Sequence, residues 1–142
     1  WKKYLKNPNS FIDKKILLLN KKNKLYRKKI LICTLLLSGP KEIKKLNNKF
    51  RNKNKSTDVL SFPFYEKKKL TNEIRRENEI YLGDIIINLS KVKYKSDLNK
   101  FKKELNKLWI HGLVHLFGHR HKSEKDFFEM SKVEQKFLEY LN

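Results

Sequence analysis

The sequence has little cysteine, glycine, proline or acid. Its single cysteine, Cys33, excludes an intramolecular disulfide and indicates a reducing compartment. With four glycines and three prolines, the chain carries no glycine-rich phosphate loop and no flexible linker. No apolar run approaches the roughly 18 to 20 residues that span a bilayer, so we expect no membrane segment. The length predicts one domain, residues 1–142, with a core of its own.

Acidic residues are too few to balance the basic ones. The chain has 15 Asp and Glu against 35 Lys and Arg, which gives a formal net charge of +20. A field of this size attracts polyanions, so RNA or DNA is the expected partner. The alternative is that lysine simply fills a solvated surface, since it occurs throughout the chain and in its loops. Because the basic residues form no single block, the sequence does not locate a binding groove.

The four histidines all lie in one short segment, His-Gly-Leu-Val-His-Leu-Phe-Gly-His-Arg-His, which follows a long helical pattern. On a helix, His111 and His115 share one face. Gly118 can end that helix in the left-handed conformation, and the chain can then bring His121 to the same point. Three imidazoles would fill three positions of a tetrahedral zinc site and leave the fourth to water. Each histidine alone could be a core or surface residue, but the combined spacing favours a metal site.

The residue after the first histidine separates this segment from zinc peptidases of the same spacing. In those enzymes it is a glutamate that acts as general base, and here it is Gly112. Peptide hydrolysis is therefore disfavoured, because a carboxylate from a distant segment would have to replace the base. A non-catalytic RNA-binding module with a structural metal is the other alternative. It would need a fourth protein ligand, for example His119, because structural zinc sites are closed.

The apolar spacing predicts a small mixed sheet covered by helices, of the α+β class, after an irregular lead-in over residues 1–10. The first helix is expected from Phe11 to about Lys28, with Leu25 or Tyr26 as its last apolar position and a possible break near 20–23. The charged stretch 66–79 is predicted to be a solvent-exposed excursion. Helices are expected over 11–28 and 41–50, from Leu98 into the histidine segment, and over 127–141, where the apolar stripe that begins at Phe127 should belong to the core. Strands are expected over 30–37, 58–65 and 80–89.

Several single residues refine this outline. Cys33 lies in an apolar run that suits a buried strand. Pro63 cannot donate to a sheet ladder, so its strand should lie at an edge or end there, and Gly83 should allow close approach of another backbone. Asp97 or Ser96 can cap the fourth helix, and Ser123 begins a capping-box pattern before the last one.

Three stretches together resemble the YbeY-type metal-dependent endoribonucleases of ribosomal RNA maturation. The histidine segment is similar to the family's H-G-x-x-H-L-x-G-Y-D-H. Residues 56–64, S-T-D-V-L-S-F-P-F, are similar to its T-[DN]-V-L-S-F-P-F, and residues 82–85 match its L-G-D-I. Arg51 matches an arginine that the family carries shortly before the second motif. Order and separations agree over roughly residues 11–141.

The resemblance implies a mixed four-stranded sheet and one zinc ion per chain held by His111, His115 and His121, on a helix and the turn after it. It also implies single-stranded RNA as substrate, with small-subunit ribosomal RNA and the small ribosomal subunit as partners in processing and quality control. The metal would activate water or polarise a phosphoryl oxygen. His115 and Arg51 are the expected catalytic residues, with Arg51 clamping the phosphate. An ordinary surface cation is the alternative for Arg51. The compartment would be a bacterial cytoplasm, a plastid or a mitochondrion.

One departure from the family pattern concerns the turn. The family's Tyr-Asp before the last histidine is replaced by His119 and Arg120. An aspartate there could orient a metal ligand, whereas arginine cannot accept a hydrogen bond. Asp84 and Asp58 are candidates to replace it. His119 is a possible surrogate metal ligand, ranked below His121.

Overall fold

The computed structural model describes residues 1–23 and 28–141. Five helices and three strands occupy this part of the chain, which confirms the predicted α+β class. The lead-in is irregular only as far as residue 7. In chain order the elements are α1 (Pro8–Lys22), β1 (Ile30–Ser38), α2 (Pro40–Arg51), β2 (Val59–Pro63), α3 (Lys67–Arg76), β3 (Glu79–Asn88), a short 3-10 turn (Leu89–Lys91), α4 (Leu98–Leu116) and α5 (Glu124–Tyr140).

The sheet is mixed, with strand order β1-β3-β2. The central strand β3 pairs in parallel with β1 and antiparallel with β2. Three strands form the sheet in the described residues, one fewer than the resemblance implied. Both outer strands are edges, and Pro63 ends β2 as its missing donor predicts.

Gly83 fulfils its predicted role on β3. Its φ is +132°, and a Cβ on it would lie 2.1 Å from the carbonyl oxygen of Phe62. Only glycine therefore lets β2 pair with β3 at this point, because any side chain would collide with backbone.

The main core lies between one face of the sheet and helices α1, α4 and α5. Helix α4 contributes more buried residues to it than any other element, because its apolar positions recur every three or four residues and point to one side. The N-terminal residues are fixed to this core as well. Leu5 is buried, and the ring of Tyr4 stacks on Phe101 with centroids 4.7 Å apart. Fully buried side chains include Ile85, Ile87, Phe101, Leu105, Ile110 and Val114.

The opposite side of the sheet, called here the outer face, is only partly covered. Helix α2 packs there through Ile43 on Leu60 and Ile86. Among the residues that the structure describes, no helix packs on the rest of this face, and Ile32 and Leu36 of β1 are exposed on it. The prediction of a buried first strand was therefore wrong, because β1 is an edge strand with one uncovered face.

Two further predictions need correction. The stretch 66–79 is not simply an excursion, because it contains α3, which buries Leu70 against the core. The helix was not predicted because its lysines and arginines outnumber its apolar residues, and Leu70 is its one buried residue. Phe127 was expected in the core but is exposed, since it lies in the first turn of α5 before that helix reaches α4. The first helix ends at Lys22, and its expected continuation to Leu25 or Tyr26 lies outside the described residues.

The expected caps are present. Asp97 accepts hydrogen bonds from the backbone of Asn99 and Lys100, and Ser123 with Asp126 forms a capping box. Cys33 is half-buried, and burial raises the pKa of its thiol to about 11. In the described part of the chain, no helix is both long and apolar enough to cross a membrane.

We predict that Gly83→Ala lowers the free energy of unfolding by about 2 kcal/mol or more, because β2 must move away from the added methyl. Urea denaturation measures this. Gly39→Ala is the control, since a Cβ at Gly39 meets nothing within 4 Å. An equal effect of the two substitutions would contradict the close approach at Gly83.

Candidate metal centre

The C-terminal half of α4 presents two of the histidines. His111 and His115 lie one turn apart, and their Nε2 atoms are 3.1 Å from each other. Gly112 lies between them and faces the sheet. A Cβ on Gly112 would lie 2.6 Å from Cγ2 of Ile85, so α4 packs on β3 too closely for a larger residue. The glutamate that zinc peptidases carry at this position has no room here.

The turn after α4 brings in the third histidine. Gly118 has a φ of +85°, and its N–H donates to the carbonyl of His115 at 2.9 Å. The N–H of His119 donates to the carbonyl of Val114 at 3.3 Å, which closes a glycine-dependent helix end. The chain then reverses. One possible ligand atom from each of His111, His115 and His121 lies within 4.8 Å of the others, as the sequence predicted.

Hydrogen bonds on the far side of two rings fix which nitrogen faces the cluster. Nδ1 of His115 donates to the carbonyl oxygen of His119 at 2.8 Å, and Nδ1 of His111 donates to Oε1 of Glu134 at 2.6 Å. Both acceptors lack a proton to give, so in the neutral form of each imidazole Nε2 carries its lone pair toward the other ring. Two lone pairs at this distance repel unless a cation lies between them. The donor set therefore fits a metal ion.

The environment of His115 keeps it ready to bind metal. Burial, with smaller contributions from His111, His121 and Arg51, lowers its pKa to about 4, against a weaker opposing effect of the His119 carbonyl. The imidazole is thus neutral near pH 7, and the neutral form is the one that binds a metal ion.

Glu134 of α5 is a site residue that the sequence analysis missed. It follows Met130 by four residues and precedes Phe137 by three, and both of these are buried. A carboxylate on the inward stripe of an amphipathic helix was the signal that could have found it. Its carboxylate oxygen orients the ring of His111, which is the role that the family's aspartate in the turn before the last histidine could have.

The two aspartates proposed for that role form hydrogen bonds elsewhere. Asp84 accepts a hydrogen bond from the hydroxyl of Tyr81 at 2.6 Å on the outer face. Asp58 accepts from the backbone N–H of Val59 and from Thr57. The carboxylate that accepts a hydrogen bond from a histidine of the cluster is therefore Glu134, not Asp84 or Asp58.

Arg51 shares a cleft with the histidines although it comes from the end of α2. Its guanidinium donates to the carbonyl of Ser61 at 3.0 Å and lies over the ring of Phe62, 5.8 Å from the centroid. The cleft has a volume of about 320 Å³. Its lining contains three side chains that are cationic at neutral pH and no carboxylate, which suits a polyanion. The lining residues are Arg51, Ser61, Pro63, His115, His119, Arg120, His121 and Lys122.

The ring of His119 is not part of the three-histidine cluster. Burial, and then Lys67, lowers its pKa, while its carbonyl orients His115. Within residues 1–23 and 28–141, only three side chains come together as metal ligands, so the described chain leaves a position open. This geometry disfavours a closed structural site. Glu134 contacts His111 on the ring edge away from the cluster, so it does not replace the missing peptidase base.

Comparisons with known proteins find relatives that match nearly the whole chain. A family profile described as Endoribonuclease YbeY matches residues 5–142. A Pelagibacter ubique protein of that name is 44% identical over 144 residues, covering 99% of this chain and 89% of its own. A Thermodesulfovibrio yellowstonii protein of the same name is 37% identical, covering 91% and 76%. The solution structure of a Thermotoga maritima protein superposes with a TM-score of 0.60 at 28% identity, covering 95% of this chain and 83% of that one.

We predict that His115→Ala abolishes stoichiometric metal binding, because it removes one of the three imidazoles that come together. Elemental analysis of the purified protein measures this. His119→Ala should retain one ion per chain, since its backbone carbonyl still orients His115. An ion kept by His115→Ala, or lost by His119→Ala, would refute the ligand assignment.

We predict that Glu134→Gln weakens zinc affinity about 10- to 100-fold, because the neutral amide holds the Nδ1 proton of His111 less strongly. Competition with a chromogenic chelator measures the dissociation constant. Glu129→Gln, at an exposed position of the same helix, is the control. Equal affinities for all three proteins would show that Glu134 does not support the site.

Proposed function

Because this chain belongs to the Endoribonuclease YbeY family, we propose that it is a zinc-dependent, single-strand-specific endoribonuclease of small-subunit ribosomal RNA processing and ribosome quality control. The family makes the chain an enzyme, a metal-dependent hydrolase of phosphodiester bonds in RNA. The observation that carries the proposal is the convergence of three imidazoles beside Arg51 in a cationic cleft.

His111, His115 and His121 would hold one zinc ion per chain. Three imidazole nitrogens with a fourth position open are typical of catalytic zinc. When bound, zinc supplies a positive charge that lowers the pKa of a water molecule and polarises a phosphoryl oxygen. Glu134 and the His119 carbonyl hold two of the rings in the tautomer that this requires.

Arg51 would bind the scissile phosphate. Its planar guanidinium can pair with two phosphate oxygens and stays charged at all physiological pH values. The hydrogen bond to Ser61 and the contact with Phe62 hold it in one orientation, so less conformational entropy is lost when the phosphate binds. Arg120 and Lys122 would neutralise neighbouring phosphates in the same cleft.

The cleft has no carboxylate to act as a base, so the chain's own residues contribute charge and position rather than proton abstraction. A net charge of +20 supports binding to ribosomal RNA and the small ribosomal subunit, with affinity that falls steeply as salt rises. We place this activity in one domain, residues 1–142. The bacterial relatives support a bacterial cytoplasm, or an organelle with bacterial-type ribosomes.

We predict that Arg51→Ala keeps one zinc ion per chain but lowers the rate of RNA cleavage about 100- to 1000-fold. The reason is that the guanidinium no longer stabilises the negative charge on the phosphate. Cleavage of a single-stranded ribosomal RNA fragment, with and without chelator, measures this. Arg75→Ala, an exposed arginine of α3, is the control.

Unchanged cleavage by Arg51→Ala would remove Arg51 from the site. Cleavage that survives both the chelator and His115→Ala would identify a contaminating nuclease or a metal-independent mechanism, and the proposal would then fail.

A further inference from the structure

The outer face of the sheet carries a row of aromatic rings. Phe62 and Phe64, two apart on and just after β2, point to the same side of the sheet. The centroid of Phe62 is 5.3 Å from that of Phe50, at the end of α2. The centroid of Phe64 is 5.5 Å from that of Tyr81 on β3. These four residues are called the aromatic row.

Two rings of the row, Phe50 and Phe64, are open to solvent, and the other two, Phe62 and Tyr81, are partly buried. Phe50 is 58% exposed and Phe64 is 62% exposed. One exposed phenylalanine needs no explanation, but neighbouring rings on the uncovered part of a sheet face form a surface that can bind a partner. Helix α2 covers only the part of the outer face around Ile43.

Cations accompany the rings. Nζ of Lys49 lies 5.2 Å from the centroid of Phe50, and Cζ of Arg51 lies 5.8 Å from that of Phe62. Nζ of Lys69 lies 5.5 Å from the ring of Tyr65, which itself touches Phe64. Alternating rings and cations suit a single-stranded nucleic acid, because the rings stack on bases while the cations pair with phosphates. A protein partner would not need this alternation.

The row is continuous with the cleft that holds the histidines. Arg51 lies over the ring of Phe62 and also lines the cleft with His115. Pro63, between Phe62 and Phe64 in sequence, lines the same cleft from the other side of the edge strand β2. A strand with its scissile phosphate at Arg51 would therefore carry its next nucleotides over the aromatic row. Phe62 and Phe64 are about 7 Å apart along the chain, which suits successive unstacked bases.

We propose that the aromatic row is a base-stacking subsite for the single-stranded RNA that flanks the scissile phosphate. The subsite rests on the proposed function, since it names where that same site takes its substrate. Stacking is tolerant of sequence because every base has a flat face. A base within a duplex is stacked on its neighbours and cannot offer that face, so the subsite selects single strands by shape.

The test uses the zinc-loaded protein and its Phe50→Leu, Phe64→Leu and double variants. Leucine keeps an apolar side chain of similar size and removes only the flat ring. Phe128→Leu is the matched control, because Phe128 is 66% exposed on α5 and lies outside the row. Fluorescence anisotropy measures binding to a labelled single-stranded RNA 12-mer and to the same 12-mer with base-free riboses at its central positions. Gel analysis checks that the RNA stays intact during the measurement.

The double variant should bind the normal RNA about tenfold or more weakly than the parent, and the Phe128→Leu protein should match the parent. On the base-free RNA, parent and double variant should bind equally. The subsite is overturned if the double variant binds normal RNA within about twofold of the parent. It is also overturned if the variant loses the same factor on both RNAs, because the loss would then not depend on bases. Each single variant gives the same comparison separately.

Zinc content and cleavage by the parent keep the two proposals apart. If the zinc-loaded parent fails to cleave, the nuclease function fails while the binding comparison still decides the subsite. If cleavage is intact and the ring substitutions change nothing, only the subsite fails.

Discussion

The close packing of α4 on β3 is the constraint on which the rest of the structure depends. It is possible because Gly112 has no side chain to meet Ile85. The same contact fixes the direction in which His111 and His115 point, on the flank of α4 beside the sheet. Gly112 thus has two consequences, since it brings helix and sheet together and also removes the general base of zinc peptidases. What separates this site from those enzymes is therefore a packing requirement of the fold.

The electrostatics of the site divide between two sides of the histidine cluster. On the inner side, Glu134 and a carbonyl accept hydrogen bonds from the rings and hold their lone pairs toward the metal position. On the open side, Arg51 and the turn residues Arg120 and Lys122 present positive charge to solvent. An acid in the turn would weaken the field that a phosphate meets. Because the carboxylate is Glu134 of α5, it orients the ring of His111 without weakening the positive field in the cleft.

The sequence predicted what depends on local geometry. His111, His115 and His121 lie within eleven positions, so helix periodicity and a glycine turn suffice to bring them together. Glu134 could not be predicted with the same ease, because its contact with His111 depends on how two helices pack. Helix α3 was missed because its single buried residue, Leu70, gives little periodicity among lysines. The pattern of apolar residues predicted the three strands that form the sheet in the described residues, whereas the fourth strand was implied only by the resemblance.

The order of folding depends on how far apart in sequence the contacting residues are. The α4–α5 hairpin contains the three histidines and Glu134, and its contacts join residues that are close together in sequence. Pairing of β1 with β3 instead joins residues such as Leu35 and Ile85, which are distant in sequence. Closing that longer loop costs more entropy and slows folding. The hairpin can therefore form early and bring the three histidines together, whereas Arg51 reaches them only when the sheet closes.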